Sequence, residues 1–577
     1  MTTVMRHPVA KATINAVDYP IRDGDIRLEE TWSPYGAATI IAPFDDPAAV
    51  AAIDPRAGQR VTITAAVDGS YVGGVWTPAG SRIFNLGIRS REIDYESRTC
   101  TVTCATDEAL LQDYAALTVD KSTRANQASL RAVVNTVLGK VIPGAQLEAT
   151  PANDANVTAY WDITNVLANP DGTAATVAPW VSGGNCSLFV AGPFAQPPTT
   201  GANTYAIGMQ SAAAGLQAAV PHPALQGPSV TPGRSYVLSA YALQFEAENS
   251  RGFRAVIRWL NNQGIAVAPD LEAPDTLLST TQWRQSSIIA TAPVGASRAE
   301  VFFRVSGATA AGKFTYLDAA MFYEGDELVP FFSGDTPDTA DYVYSWAGTV
   351  ANSASLRTAY VDRPPSLFVW QPGVSAWNFL QPLVDGASLR LFCDESRKWR
   401  LVPQGYTVAG VVTVTADRAT EGSDRISRED SALWATGVVC RYRWTDPTAG
   451  QLEQFDSAGT PGRVHLIEYN TPYPGPGAAA YILKGFTSRG RVQGASGFAE
   501  WSATPGMESR LTLPDAPLIA GRASRVAFDL GTGVVLVASK DQTVIPSGAW
   551  AQVAPATRWT DVATSVTWAN YVPPATE

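Results

Sequence analysis

The sequence is poor in the residues that metal and nucleophile chemistry draws on. Its three histidines, His7, His222 and His465, are scattered through 577 residues, and none has a metal-ligating neighbour at usable spacing, so zinc binding is not expected. Five cysteines do not make a disulfide framework in a chain of this length. Cys100 and Cys104 lie in the alternating run SRTCTVTC, where strand rise would separate them by roughly 13 Å, against the Cα spacing of about 5.5 Å that a disulfide needs; both read as buried thiols. Only 16% of residues are charged and the net charge is −11, a balance that argues against gripping nucleic acid, whose affinity comes from Lys and Arg on phosphates.

Long apolar runs are missing too. No stretch approaches the roughly 18 residues that would cross a bilayer, and the start, MTTVMRHPVAKATINAV, has no basic segment followed by an apolar core. The expectation is a soluble chain made in the cytoplasm, with no membrane insertion. Catalytic motifs are likewise absent. The Gly-containing run AGPFAQPPTTGAN lacks the strand-to-helix setting and the Lys of a phosphate-binding loop, and no Ser in a Gly-flanked elbow comes with a His partner. Carboxylates are plentiful, and a glycosidase needs only two at the right separation, yet none stands in a recognisable catalytic motif. No catalytic residue and no enzyme activity are expected.

What is present is apolar and turn-rich. Hydrophobic residues make up 46%, with 47 Gly, 40 Pro and 16 Trp, which suits many short strands joined by turns. The length predicts about three to five domains. The pieces ATINAV, DIRLEET, GAATIIAPF, RVTITAAV, RIFNLGIRSREID and TCTVTCAT alternate with period two and read as six strands of a small barrel. An acid-started helix, Asp107 to Leu117, follows. Leu130, Val133, Val134, Val137, Leu138 and Val141 then form the apolar stripe of a second helix, stopped by Gly139 and Pro143.

The elements IRLEETWSPYGAATI, DPRAGQRVTI and LGIRSREIDYESRTCTVTCATDEALLQDY resemble the first barrel of the hub proteins at the tip of long-tailed (siphovirus) phage tails. Further on, Ser375 is the predicted N-cap of the helix AWNFLQPLVDG, whose Trp377, Leu380, Leu383 and Val384 make one stripe. In the hairpin SLRLFCDESRKWRLVP, Leu389, Leu391 and Cys393 answer Trp399 and Leu401. This helix plus hairpin resembles the second tube-like domain of the same hubs. Strand-like runs continue through GVVTVTA, WATGVVCRYRW, RASRVAFDL, GVVLVAS and SVTWANYV.

Between these two regions the character changes. TNVLANPDGTAATVAPW, SYVLSAYALQF, FRAVIRWLNNQG, TTQWRQSSIIATAPVGASRAEVFFRVSG and FTYLDAAMFYEG follow in order the strands of carbohydrate-binding modules of the family 4/9 jelly-roll type, which they resemble. Phe253, Ala255, Ile257 and Trp259 would face the core, and Arg254, Val256, Arg258 and Leu260 the outside. Arg258, Arg304 and Tyr241 are the candidates for a polar groove, with Trp180 as a stacking residue. Trp259 and Trp283 are placed in the core. The resemblance also implies a structural calcium, for which Asp318 matches an acidic position. After this module, YxYxWxGTxxxSxS, given by Tyr342, Tyr344, Trp346, Gly348, Thr349, Ser353 and Ser355, resembles a recurrent junction in actinobacteriophage minor tail proteins.

The resulting expectation is a mainly β, multi-domain chain. It has a hub domain with a tube-like barrel and helix over 1–160, an inserted jelly roll over 161–334, a hub continuation over 335–519 and a C-terminal β segment over 520–577. The resemblance implies a minor tail protein or tail-tip hub of the baseplate. Such a protein is a homotrimer that caps the tail tube, beside the distal tail protein and other tip proteins, in a virion assembled in the host cytoplasm, and DNA passes without specific binding. The jelly roll would provide host attachment to cell-wall glycan. The alternative is a polysaccharide-degrading enzyme with an accessory carbohydrate-binding module.

Overall fold

A computed structural model describes residues 5–544 apart from 73–74, 78–79, 150–152, 175, 195–197, 199–204, 222–226, 247–250, 309, 404, 417–418, 427–433, 447–449, 488–490, 499 and 513–518. His222 and the run SVTWANYV lie outside the described residues. The protein is mainly β with a few short helices, and it divides into two compact units. One takes Met1–Thr158, Leu367–Arg443 and Glu453–Glu577; the other takes Ala159–Ser366 with Trp444–Leu452. The inserted unit is thus longer than the expected 161–334, and residues 335–366, expected in the hub continuation, belong to it.

The first unit is built on one sheet of 14 strands. From one end its path runs through Val17–Pro20, Met5–Ile14, Arg60–Val72, Ser81–Asp94, Thr99–Ala105, Gly36–Pro43 and Asp23–Glu29. It continues through Ile519–Asp529, Val534–Val544, Arg491–Phe498 and Ala419–Ile426. The joint is the antiparallel pairing of Asp23–Glu29 with Ile519–Asp529, which sets Ile26 opposite Phe528 and Leu28 opposite Val526. All four are fully buried, while Arg27 between the first two is exposed. A slip of one residue would bury that guanidinium, so this alternation fixes the register between segments far apart in the sequence. Phe84 reaches Phe528 across the shared core with ring centroids 5.8 Å apart, and Arg82 donates to the carbonyls of Trp501 and Ala503 at 3.0 and 2.7 Å. The two barrel-like halves are therefore one sheet over one core, and among the described residues neither half closes into a barrel. The expected division at 519/520 falls at the start of the strand that makes the joint.

The helix expected from Asp107 is short, Glu108–Asp113, and ends before Leu117; the other two follow the sequence closely. Leu130–Val141 begins at Ser129, whose hydroxyl accepts the Ala132 N–H at 3.1 Å, and buries Leu130, Val133, Val134, Val137 and Leu138. Ala376–Gly386 is capped by Ser375, whose hydroxyl accepts the Asn378 N–H at 3.2 Å. The hairpin after it pairs Leu391 with Leu401 and Cys393 with Trp399. Trp399 is buried as expected, and Trp377 is half-buried. The five cysteines are free and buried.

The second unit is a sandwich of a five-stranded and a six-stranded sheet. Phe253, Ala255, Ile257, Trp259, Phe303 and Leu317 fill the space between them. A third sheet sets Tyr342–Trp346 against Ser355–Ala359, and the latter against Ile163–Asn165. The first and last strands of the unit thus lie side by side, and Tyr160 and Arg363 exchange backbone hydrogen bonds just outside them. The chain leaves and re-enters at neighbouring points, as an insertion that spares a host core must. The Tyr-Tyr-Trp junction motif has a structural role here. The Trp346 ring covers Gly334, where an added Cβ would sit 2.3 Å from its Cγ, and its Nε1 donates to Asp335 at 3.1 Å. Arg357 is buried beneath, its guanidinium 4.3 Å from the Tyr342 ring centroid and 5.2 Å from that of Trp161, and burial pushes its pKa down.

Candidate functional site

The four proposed groove residues do not share one groove: Trp180 lies in the core, Arg258 and Arg304 on one sheet and Tyr241 on the other. Trp180 is 3% exposed. Its indole stacks on Phe303 at 6.1 Å, and its Nε1 donates to the Asn169 carbonyl at 2.9 Å. It is a core residue and offers no stacking surface. Arg258 and Arg304 do lie together, on the outer face of the six-stranded sheet, but their donors are already engaged. Arg258 forks onto Asp270 at 2.7 and 2.9 Å and reaches Glu300 at 2.9 Å; Arg304 reaches Asp270 at 2.9 Å and bonds Glu272. Both guanidinium groups sit over Phe302, at 5.1 and 4.6 Å. Arg254 extends the row with a fork onto Asp275 at 2.8 and 2.9 Å. These contacts hold the loop carrying Asp270, Glu272 and Asp275 against the sheet. Charge pairing keeps the Asp270 carboxyl below its usual range, first through the Arg258 hydrogen bond.

Tyr241 belongs to the other sheet, and that sheet carries the site. Its strands run Cys186–Ala191, Ala206–Ser211, Phe314–Glu324, Ser235–Gln244 and Arg284–Thr291. Leu188, Ile207, Leu317, Ala242 and Ile288 point to the core, so their sequence neighbours point out. Register aligns those neighbours into a row: Phe189 beside Gly208, Gly208 beside Tyr316, Tyr316 beside Leu243. Trp283 follows just beyond the first residue of the last strand, where Ala242 pairs with Arg284. Tyr241, paired with Gln285 and Asp318, starts the next row.

The rings of this face touch edge to face. Phe194 lies 4.9 Å from Tyr316 and 5.5 Å from Trp283; Phe314 lies 5.7 Å from Phe189; and Phe245 lies 6.2 Å from Tyr316. Phe245 is 66% exposed, and the others are half-buried. Gly208 allows this packing, because the Phe189 ring lies flat on it and a Cβ there would be 2.4 Å from Phe189 Cζ. At one edge Arg251, fully buried, pairs with Glu246 and donates to Thr315 at 2.9 Å, while Glu246 accepts the Phe314 N–H at 2.8 Å. That knot fixes the strand ends carrying Phe245 and Phe314. The Tyr241 and Tyr316 phenols, raised chiefly by burial, stay neutral hydroxyls that can donate and accept. The whole is an apolar aromatic surface edged by Gln285, Ser287 and tyrosine hydroxyls. Trp283, placed in the core by the sequence reading, is part of it.

Asp318 is held differently again. The closing strand has a bulge, with Ala319 at φ 52° and a register shift between Ser239 and Tyr241. The face therefore changes partway, and Ala320 and Phe322, rather than Ala319 and Met321, join Leu317 in the core. Asp318 Oδ1 accepts the Ala319 N–H at 2.6 Å, but Oδ2 is buried with no hydrogen-bond partner among the described residues. Burial, and then the charge of Asp171, push its pKa well up. Two carboxylates and an unpaired oxygen in a dry setting fit a hard cation with oxygen ligands, although no cluster of three His, Cys, Asp or Glu occurs among the described residues.

Neither a protein-family model nor a characterised protein sequence matches the chain. Among solved structures, it is similar to the tail protein from Neisseria meningitidis MC58, with 6% identity over 92% of this chain and 96% of that one and a TM-score of 0.35. It is also similar to TmCBM61, solved with β-1,4-galactotriose, with 15% identity over 28% of this chain and 99% of that one and a TM-score of 0.21. The match to the enzymatically active domain of bacteriophage CBA120 tailspike protein 4 has 17% identity and a TM-score of 0.22, over 28% of this chain but only 21% of the length of that one. No helix among the described residues is long and apolar enough to cross a membrane.

Proposed function

We propose that this chain is a structural protein of a phage tail tip, a hub or minor tail protein capping the tail tube as a homotrimer, whose inserted sandwich binds host-surface glycan without cleaving it. The observation that carries the binding role is the aromatic row from Phe189 through Tyr316 to Trp283, laid on the outer face of one sheet. Pyranose rings present flat C–H faces, which stack on exposed aromatics, and hydroxyls, which Tyr241, Gln285 and Ser287 can meet. The scaffold role rests on the resemblance of the flanking segments to tail hubs and on the single sheet that those segments share. Copies of the sandwich in one symmetric assembly would multiply a weak affinity per site. Glu246, the carboxylate at the edge of the face, is committed to Arg251 and Phe314, which favours binding over hydrolysis.

A calcium ion, where bound, would be held by Asp171 and Asp318. It would neutralise both charges and pin the bulge under the aromatic face. The test of the main reading is affinity electrophoresis of the full chain in gels containing soluble arabinogalactan, xylan or β-1,4-galactan. Trp283→Ala and Tyr316→Ala should each weaken retardation about 10-fold, for roughly 1–2 kcal/mol of lost stacking, while Arg258→Ala leaves it unchanged. Retardation lost in Arg258→Ala and kept in both aromatic variants would move the site to the other sheet. New reducing ends in the polysaccharide would reinstate the enzyme.

A further inference from the structure

We propose that a cavity in the first unit, between the Trp377 helix and the segment carrying Trp32, binds a small oxyanion on a flat apolar body, received by Arg390. The cavity has a volume of about 440 Å³, within the range of roughly 300–1,000 Å³ typical of small-molecule sites. Its walls are apolar and aromatic, with Trp32, Trp377, Leu380, Tyr406 and Phe486 among them, and five charged groups line it: Glu30, Asp385, Arg390, Arg522 and Lys540.

Three of these groups are cationic and two are acidic. Glu30 is paired with Lys540 and lies 3.9 Å from Arg522. Arg522 is further held by the Tyr406 carbonyl at 2.9 Å. Arg390 packs on aromatic faces, 4.3 Å from the Phe392 centroid and 5.5 Å from that of Tyr35, and is drawn electrostatically to the Glu108 carboxylate. Its Nη2 is buried with no hydrogen-bond partner among the described residues. Asp385 is a poor counter-charge, because burial raises its pKa to about 7. A buried guanidinium N–H group without an acceptor is costly, and an incoming oxyanion would satisfy it with the charge-assisted geometry that guanidinium offers to carboxylate and phosphate alike. The aromatic walls select for a flat apolar body attached to that anion.

The test uses the full chain, with calorimetric titration and thermal unfolding in the presence of benzoate, phenyl phosphate, inorganic phosphate and benzylamine. Benzoate or phenyl phosphate should bind and raise the melting temperature by about 2 °C at saturating concentration, with benzylamine inert. Binding of one alone identifies carboxylate or phosphate as the natural group. Arg390→Met should cut the affinity at least tenfold while leaving the ligand-free protein as stable or more so, since an unpaired buried charge is removed; Arg390→Lys should recover part of the binding. Trp377→Ala, which leaves Arg390 in place, should weaken phenyl phosphate but not inorganic phosphate. Failure of both aromatic anions to bind, or equal binding by Arg390→Met, overturns the assignment.

Discussion

Asn165 should be the side chain on which the base of the inserted sandwich depends, and its loss can be given a size. It is fully buried. Its Nδ2 donates to the Ala320 carbonyl at 3.1 Å, and its Oδ1 accepts the N–H groups of Phe322 at 3.0 Å and Leu167 at 3.3 Å. It therefore ties the first strand of the unit to the closing strand just past the bulge. Asn165→Ala removes three hydrogen bonds and leaves three backbone groups unpaired in a dry setting. At about 1 kcal/mol net per bond, plus part of the desolvation cost of the stranded groups, the loss is about 3–5 kcal/mol. For a unit of this size that corresponds to a fall in melting temperature of roughly 6–20 °C. Scanning calorimetry of the full chain should resolve two transitions, one per compact unit, with only one of them shifted. Asn165→Asp, which sets a buried carboxylate against the Ala320 carbonyl, should destabilise the unit at neutral pH and regain stability as pH falls and the acid becomes protonated. A loss below about 1 kcal/mol, or equal shifts in both transitions, would refute the view that this residue closes an independently cooperative insert.

Two further outcomes are expected. Calcium chloride should raise the melting temperature of the insert, and chelation should lower it; Asp318→Asn should abolish that response, and glycan binding by the metal-free protein should weaken as the bulge under Tyr241 loosens. A calcium response retained in Asp318→Asn would remove the metal from this site. Asp385, with a folded-state pKa raised to about 7 by burial, holds its proton in the native state where the unfolded chain has released it. Its contribution to stability is thus greatest below about pH 4 and is lost as pH rises towards 7, with a slope of up to about 1.4 kcal/mol per pH unit. Asp385→Asn should flatten that part of the pH–stability curve of the first unit, as read by urea unfolding.

Much of this architecture was legible in order and period alone. The stripe from Leu130 to Val141, the Ser375 cap, the Leu391–Leu401 hairpin and the inward set Phe253, Ala255, Ile257 and Trp259 are local patterns. A helix face or a strand parity is written within a dozen residues, and burial then follows it. The composition likewise settled a mainly β chain of more than one unit.

What the sequence could not decide is which strands lie side by side. Tyr241 and Arg258 both occupy outward positions on their strands, but only the sheet assignments reveal that they face away from each other. Trp283, Tyr316 and Phe189 share a face only because Arg284–Thr291, Phe314–Glu324 and Cys186–Ala191 are members of one sheet. The bulge at Ala319 reversed the parity that simple alternation assigned to the end of its strand, and the pairing of Asp23–Glu29 with Ile519–Asp529 made one sheet of two halves that the linear chain keeps apart. Such long-range pairings are set by the summed fit of whole faces, a quantity that no single stretch of residues contains.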